Sequence, residues 1–222
     1  MLIKQALIFD MDGTLFKTDT VLLSALDKTF DCLRSVDEWE GGTPIEKYLD
    51  IMGVPLPEVW RSLLPMHEEA LHEKVNRMFH VHLFQEIRNG SGELYSGILE
   101  FLEELSKEYR IFIASNGLNS YLLEIVNCFT LDSLLSGVYS IERCPSGRKE
   151  DLVKMILKEN EISSAVMVGD RVSDIKAGKK NGLYTVGCAW GFASEGELDE
   201  ADIVINAIEE LGNVLKREEV LG

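Results

Sequence analysis

Basic residues are scarce in this chain of 222 residues: 22 lysines and arginines stand against 38 aspartates and glutamates, a formal charge of −16. So anionic a protein has no cationic stripe to offer a phosphate backbone, which argues against general nucleic-acid binding. The same repulsion argues against an anionic membrane surface. A small anionic substrate stays open to it, because one bound cation reverses the local field. Cysteine is sparse too. Cys32, Cys128, Cys144 and Cys188 form no CxxC pair, and no Cys/His spacing matches a zinc site, so they read as reduced thiols in a cytoplasmic protein. No secretory leader is expected at the N-terminus, and no apolar run approaches the ~20 residues of a membrane-spanning helix. Internal repeats and low-complexity segments are lacking. What is present is ordinary globular composition, 45% hydrophobic and 27% charged. A chain this long buries about 70% of its unfolded surface and needs no staples.

The apolar residues fall into two kinds of pattern. Short continuous runs stand at Ala6–Phe9, Ile111–Ala114, Ala165–Val168, Thr185–Cys188 and Ile203–Ile205, with a weaker one at Val138–Ile141. Runs of this length read as strands buried on both faces. Helical spacing lies between them: Phe101, Leu102, Leu105 and Tyr109; Leu122, Ile125, Val126 and Phe129; Leu152, Met155 and Ile156. Such alternation predicts an α/β fold with a doubly wound parallel sheet.

From about Asp19 to Gly90 the alternation stops and the pattern is helical throughout. Leu22, Leu26, Phe30 and Leu33 make one apolar face. Thr43-Pro44-Ile45-Glu46 reads as a capping box, Thr at N-cap and Glu at N3, opening a helix that runs to Gly53 before Pro55. Leu71, Val75, Met78, Phe79, Leu83 and Ile87 form a third stripe ending at Asn89-Gly90. The expected organisation is a core of residues 1–17 and 91–222 with a helical insert, 18–90. An insert after the first strand is expected over the carboxyl end of the sheet, where open α/β sheets bind ligands.

Those carboxyl ends carry the chemistry. The first strand exits into Asp10-Met11-Asp12-Gly13-Thr14, two carboxylates followed by a glycine. An Asp-Gly turn is common, so this alone is weak. Yet Ile111–Ala114 exits into Ser115-Asn116-Gly117, Val166–Val168 into Gly169-Asp170-Arg171-Val172-Ser173-Asp174, and Lys149 follows the weaker run. In a parallel sheet these exits converge on one edge.

DMDGT at 10–14, Ser115-Asn116, Lys149 and GDRVSD at 169–174 together resemble the four motifs of the haloacid dehalogenase-like superfamily. The helical insert is similar to the cap of its phosphoglycolate phosphatase and β-phosphoglucomutase-like branch. The resemblance implies a Mg²⁺-dependent phosphatase acting on a small phosphorylated metabolite, a monomer or homodimer. It implies Asp10 as nucleophile forming a phospho-aspartate, and Asp12 as general acid and base. Asp10, the Asp12 carbonyl and Asp170 are then the metal ligands, with Asp174 behind them. Ser115 and Lys149 would attend the phosphoryl group, and Gly13, Thr14, Asn116 and Gly117 would bind substrate. Asn116 and Gly117 are expected to open the next helix, whose free N–H groups favour an anion. Arg148 is the competing cation; Lys149 is preferred because the family's third motif uses lysine before a helix, although Glu150 stands where many members have proline. The loop Gly41-Gly42-Thr43 resembles a cap segment that dips into the site, which makes Thr43 a specificity contact. Asp12 itself argues for transfer from oxygen, since dehalogenases of the superfamily usually lack it. A phosphosugar mutase and a non-catalytic phosphometabolite-binding protein are the alternatives.

The remaining conspicuous residues have blander readings. His67, His72, His80 and His82 all fall in the helical stretch and read as packed or solvated side chains. Trp39, Trp60 and Trp190 read as packing residues. The acidic stretch 195–202 and the charged tail 216–219 read as solvated faces.

Overall fold

The computed structural model describes residues 5–51 and 56–216. They fall into two compact units: Thr18–Gly92, and a second that ends at Lys17 and resumes at Glu93.

The first unit holds α1 (Asp19–Ser35), α2 (Ile45–Asp50), α3 (Leu56–Leu63) and α4 (Glu69–Arg88). Leu22, Leu26, Phe30 and Leu33 of α1 are buried, as are Val75, Phe79, Leu83 and Ile87 of α4, and the two helices pack together. Each such side chain contributes about 1.5–3 kcal/mol of transfer free energy. Trp60 of α3 is fully buried, its ring 5.3 Å from that of Phe79 in an edge-on contact, and its Nε1–H donates to Asn76 Oδ1 at 2.8 Å. The expected stop after α4 is present, with Asn89 at the C-cap and Gly90 at φ +77°.

The capping box at Thr43 is not formed. The helix begins at Ile45, Pro44 occupies the N-cap position, and no side chain caps it. The Thr43 hydroxyl donates instead to Asp27 and accepts from Arg34. A charged pair on α1 competes for the hydroxyl more strongly than a neutral backbone N–H can. The expected stop at Gly53-Pro55 lies outside the described residues. α3 escaped the sequence reading, because only Val59, Trp60 and Leu63 mark its buried face.

The second unit is built on six parallel strands: β1 (Gln5–Phe9), β2 (Arg110–Ser115), β3 (Gly137–Ser140), β4 (Ser164–Gly169), β5 (Tyr184–Cys188) and β6 (Ile203–Ile205). Their order is β3-β2-β1-β4-β5-β6, every neighbouring pair parallel. Four helices connect them, α5 (Ile98–Leu105), α6 (Asn119–Cys128), α7 (Lys149–Glu159) and α8 (Val172–Lys180), and α9 (Glu210–Leu215) follows β6. The expected α/β class and parallel sheet are what is found. Ala6 and Ile8 of β1, Phe112 and Ala114 of β2, and Ala165 and Met167 of β4 share one face, packed on Leu152, Val153 and Ile156 of α7. Leu7 and Phe9, on the other face, are equally inaccessible, which is why these strands read as unbroken apolar runs. The weak run shifts by one residue, since Ile141 opens a short 3₁₀ turn, Ile141–Arg143.

This topology sets the site. β1 lies between β2 and β4, so Asp10, Ser115 and Asp170 leave adjacent strands at one edge. No helix of the described residues is long and apolar enough to cross a membrane.

Candidate active site

Asp10 follows β1 directly, and its backbone N–H still donates to Val168 O at 2.9 Å, so the last rung of the ladder fixes it. Its carboxylate is buried, with Oδ1 2.7 Å from Lys149 Nζ. The same ammonium lies 2.5 Å from Asp174 Oδ1. Lys149 and Asp174 are buried as well, and carboxylate oxygens of Asp10, Asp170 and Asp174 all lie within 4.8 Å of one another. Of the two cations considered for this place, Lys149 reaches Asp10. Arg148 sits at the N-cap of α7, exposed and paired with Asp151 at 2.6 Å.

Three buried carboxylates share one ammonium, and the electrostatics show the imbalance. Burial pushes the Asp10 carboxyl well above its usual range; Lys149 opposes this, while Asp174, Asp170 and Asp12 add to it. Asp170 is pushed up to about 6, chiefly by burial, with the N–H of Phe192 pulling the other way. Burial works against the Lys149 ammonium, but Asp10 and Asp174 more than offset it and raise its pKa. A buried ion pair is a poor source of stability, because desolvation consumes most of the attraction. A cluster with excess negative charge is worse still unless a further cation joins it. The donors are all hard oxygens, which suits a small divalent ion such as Mg²⁺ and not a thiolate-loving metal. The residues present therefore fit a metal ion.

The surroundings hold these carboxylates in place. The Thr14 hydroxyl donates to Asp170 Oδ1 at 3.0 Å and the Phe192 N–H to Oδ2 at 2.7 Å. Thr14 thus spends its hydroxyl on Asp170. Asp174 Oδ2 accepts the Arg171 N–H at 2.9 Å, so the first turn of α8 orients the carboxylate that faces Lys149. Gly13, at φ +76°, packs so closely that a Cβ would lie 2.3 Å from Asp170 Oδ2. A Cβ on Gly191 would meet Asp170 Cβ at 2.3 Å, and one on Gly169 would meet Asp174 Cγ at 2.3 Å. The backbone is pressed against the carboxylates on three sides.

On the adjacent strand, Ser115 is buried and its Oγ accepts the Gly117 N–H at 2.9 Å, which leaves its own hydrogen to donate elsewhere. Asn116 and Gly117 do not open α6. The helix starts at Asn119 after Leu118 at the N-cap, and the Asn119 N–H is taken by Glu142 Oε2 at 2.6 Å. The carbonyl of Gly117 accepts from Ser140 Oγ at 2.6 Å, so this turn is tied to β3 and not continued into helix. Asp12 is half-buried, and its Oδ1 accepts a hydrogen bond from the Tyr121 hydroxyl at 2.6 Å. Trp190 donates from Nε1 to Thr14 O at 3.1 Å. Cys188 is buried near the cluster, and burial pushes its thiol well above the usual range, so it stays protonated. Thr43 lies in the helical unit, where Asp27 and Arg34 engage it.

Tyr121, Phe192 and Gly191 were not singled out from the sequence. Tyr121 and Asp12 are 109 positions apart, and no local pattern links them.

A family model described as haloacid dehalogenase-like hydrolase matches residues 7–188. Pyrophosphatase PpaX of Listeria monocytogenes is 24% identical over 223 residues, covering 96% of this chain and 97% of its own. A 5'-nucleotidase of Pseudomonas aeruginosa is 24% identical over 196 residues, 86% of each chain. Among solved structures, one titled a predicted phosphoglycolate phosphatase from Haemophilus somnus 129pt superposes with a TM-score of 0.82 at 17% identity, covering 97% of this chain and 100% of that one. The match runs from β1 through the end of β5 and takes in all four loops that carry the site, so this chain belongs to the haloacid dehalogenase-like hydrolases.

Proposed function

We propose that this protein is a Mg²⁺-dependent phosphatase that hydrolyses a small phosphorylated metabolite through a phospho-aspartate on Asp10. The observation that carries the reading is the buried Asp10–Lys149–Asp174 set beside Asp170 at the edge where four strand exits meet. Stability alone does not account for such a set. A deeply placed carboxylate beside a fixed ammonium is suited to attack on phosphorus.

In the first step an Asp10 oxygen attacks phosphorus and the bond to the leaving oxygen breaks, with Asp12 donating its proton to that oxygen. In the second, Asp12 takes a proton from water, the water oxygen attacks phosphorus, and Asp10 is released with inorganic phosphate. General acid–base help of this kind contributes typically 10²–10⁴-fold. Lys149 offsets negative charge on Asp10 and the transferring group, and the Ser115 hydrogen left over from its bond to Gly117 is available to a phosphoryl oxygen. Asp10, Asp170 and the Asp12 carbonyl would hold Mg²⁺, which when bound supplies positive charge to the phosphoryl oxygens and favours ionised Asp10. The relatives named above, at equal identity, are a pyrophosphatase and a 5'-nucleotidase. Their names have phosphoryl hydrolysis in common, and the proposal is made at that level. None of the four cysteines is in a disulfide, which suits a reducing compartment such as the cytosol.

The test is phosphate release from p-nitrophenyl phosphate with and without Mg²⁺. The expected outcome is turnover that EDTA removes and that Asp10→Asn lowers by at least about 10³-fold. Full activity in Asp10→Asn would defeat the mechanism.

A further inference from the structure

The bond between Tyr121 and Asp12 is not used by the mechanism above. Tyr121 lies in the first turn of α6 and is 5% exposed, yet its hydroxyl crosses to the loop after β1 and donates to Asp12 Oδ1 at 2.6 Å. A phenol that short to a carboxylate is among the stronger neutral-donor hydrogen bonds. Its placement is built, not incidental. A Cβ on Gly117 would lie 3.1 Å from Tyr121 Cδ1 and 3.2 Å from Ser115 Oγ, so the glycine leaves room for the ring beside the serine. The turn below the ring is tied twice, by Gly117 N–H to Ser115 Oγ and by Ser140 Oγ to Gly117 O. The start of α6 is tied by Asn119 N–H to Glu142. One strand–turn–helix segment thus delivers Ser115 towards the phosphoryl group and Tyr121 towards Asp12.

We propose that Tyr121 is the positioning residue for the acid–base carboxylate: it holds Asp12 Oδ1 so that Oδ2 is the oxygen that exchanges a proton with the leaving group and then with water. This rests on the phosphatase reading, in which Asp12 has that role. A phenol suits the task because it can donate to Oδ1 both when Asp12 is a carboxylate and when its proton sits on Oδ2, so the anchor survives both halves of the cycle. Without it Asp12 still has its charge and its neighbours but loses one fixed orientation. Misplacement of a reacting group by about 1 Å can cost on the order of 10²-fold.

The consequence is specific to the leaving group. An alkoxide needs a proton as it departs, a phenolate needs one less, and nitrophenolate hardly needs one. The experiment compares kcat/KM of wild type and Tyr121→Phe on p-nitrophenyl phosphate, phenyl phosphate and glycerol 2-phosphate. The expected loss is under about threefold on the first and rises to about 10–100-fold on the last, within the range of general acid catalysis. In an Asp12→Asn background, Tyr121→Phe adds no further loss on any of the three. A loss of equal size across the series, or none, would overturn the proposal. So would a Tyr121→Phe protein that fails to fold by circular dichroism, since the hydroxyl would then be a structural bond. Failure of the phosphatase reading itself looks different: wild type releases no phosphate from any of these esters, or Asp10→Asn is as active as wild type.

Discussion

The two units hold their charges in opposite ways. In the α/β unit, Asp10, Lys149, Asp170 and Asp174 are buried side by side, brought together from segments that are far apart in sequence. In the helical unit the ion pairs are mostly exposed and several are local, such as Arg34 with Asp31 and Arg61 with Glu69. Surface pairs of that kind contribute about 0–1 kcal/mol and can be traded for others. The interior of the helical unit is apolar, built from Phe30, Trp60, Val75, Phe79 and Ile87. One unit is therefore stabilised by what it buries, and the other is stabilised in spite of part of what it buries. That difference marks the α/β cluster as the candidate for the chemistry proposed above, because groups shifted by burial and by one another concentrate at functional sites.

The contrast can be broken by exchanging the currency in each unit. Phe79→Ala removes a fully buried ring that touches Trp60 and Tyr48. It should cost about 3–5 kcal/mol in urea unfolding, the largest stability effect expected from any single truncation discussed here. A loss under 1 kcal/mol would mean that the helical interior is not the tightly packed core described. Gly13→Ala should do the reverse. It adds one methyl group 2.3 Å from Asp170 Oδ2 and 2.6 Å from Phe192 Cδ2, at a residue with φ +76°. Asp170 cannot give way freely, because Thr14 and Phe192 hold both its oxygens. The expected result is a fall in kcat/KM of about 10²-fold, equivalent to about 2.7 kcal/mol of barrier. Strain of the left-handed backbone adds about 1–2 kcal/mol to the stability loss. Unchanged kinetics would show that the glycine packs there without constraining the site.

How much of this was legible in the sequence follows the same division. β2, read as Ile111–Ala114, extends one residue each way to Arg110–Ser115, and β6 matches at Ile203–Ile205. Strands buried on both faces leave unbroken apolar runs, and their polar exits mark the ends. The helices α1 and α4 were legible because packing on a single face imposes a period. What was hidden depended on competition in space. Thr43 has the local grammar of an N-cap, but Asp27 and Arg34 take its hydroxyl. Asn116 and Gly117 looked like a helix start, but Ser140 holds the turn back. Gly191 and Phe192 serve Asp170 from 21 and 22 positions away, and nothing nearby in the chain records that service.

Glu86 gives the smallest effect and the sharpest test, because it is the helical unit's exception. It is buried on α4, its Oε1 paired with Lys28 of α1 and its Oε2 accepting from Ser24 Oγ at 2.9 Å. The hydrogen bond from Lys28 holds its pKa below the usual range; burial opposes this, and Ser24 and Ser91 reinforce it. A carboxylate depressed in the folded state stabilises above the unfolded pKa, about 4.3 for glutamate, and that contribution is lost as pH falls through the folded value. Lys28 is 44% exposed, so solvent screens part of the attraction. Glu86→Gln should therefore cost about 1–2 kcal/mol in urea unfolding at pH 7. The gap between wild type and variant should shrink as pH falls from the unfolded pKa of about 4.3 through the lower folded value, below which both side chains are neutral. A gap that stays constant with pH would mean that the amide fails on shape alone, and that Glu86 is held as a packing group and not as a charge. The shrinking gap would make it a buried carboxylate that stabilises the fold through the cation and hydroxyls it holds, which is the opposite of Asp10.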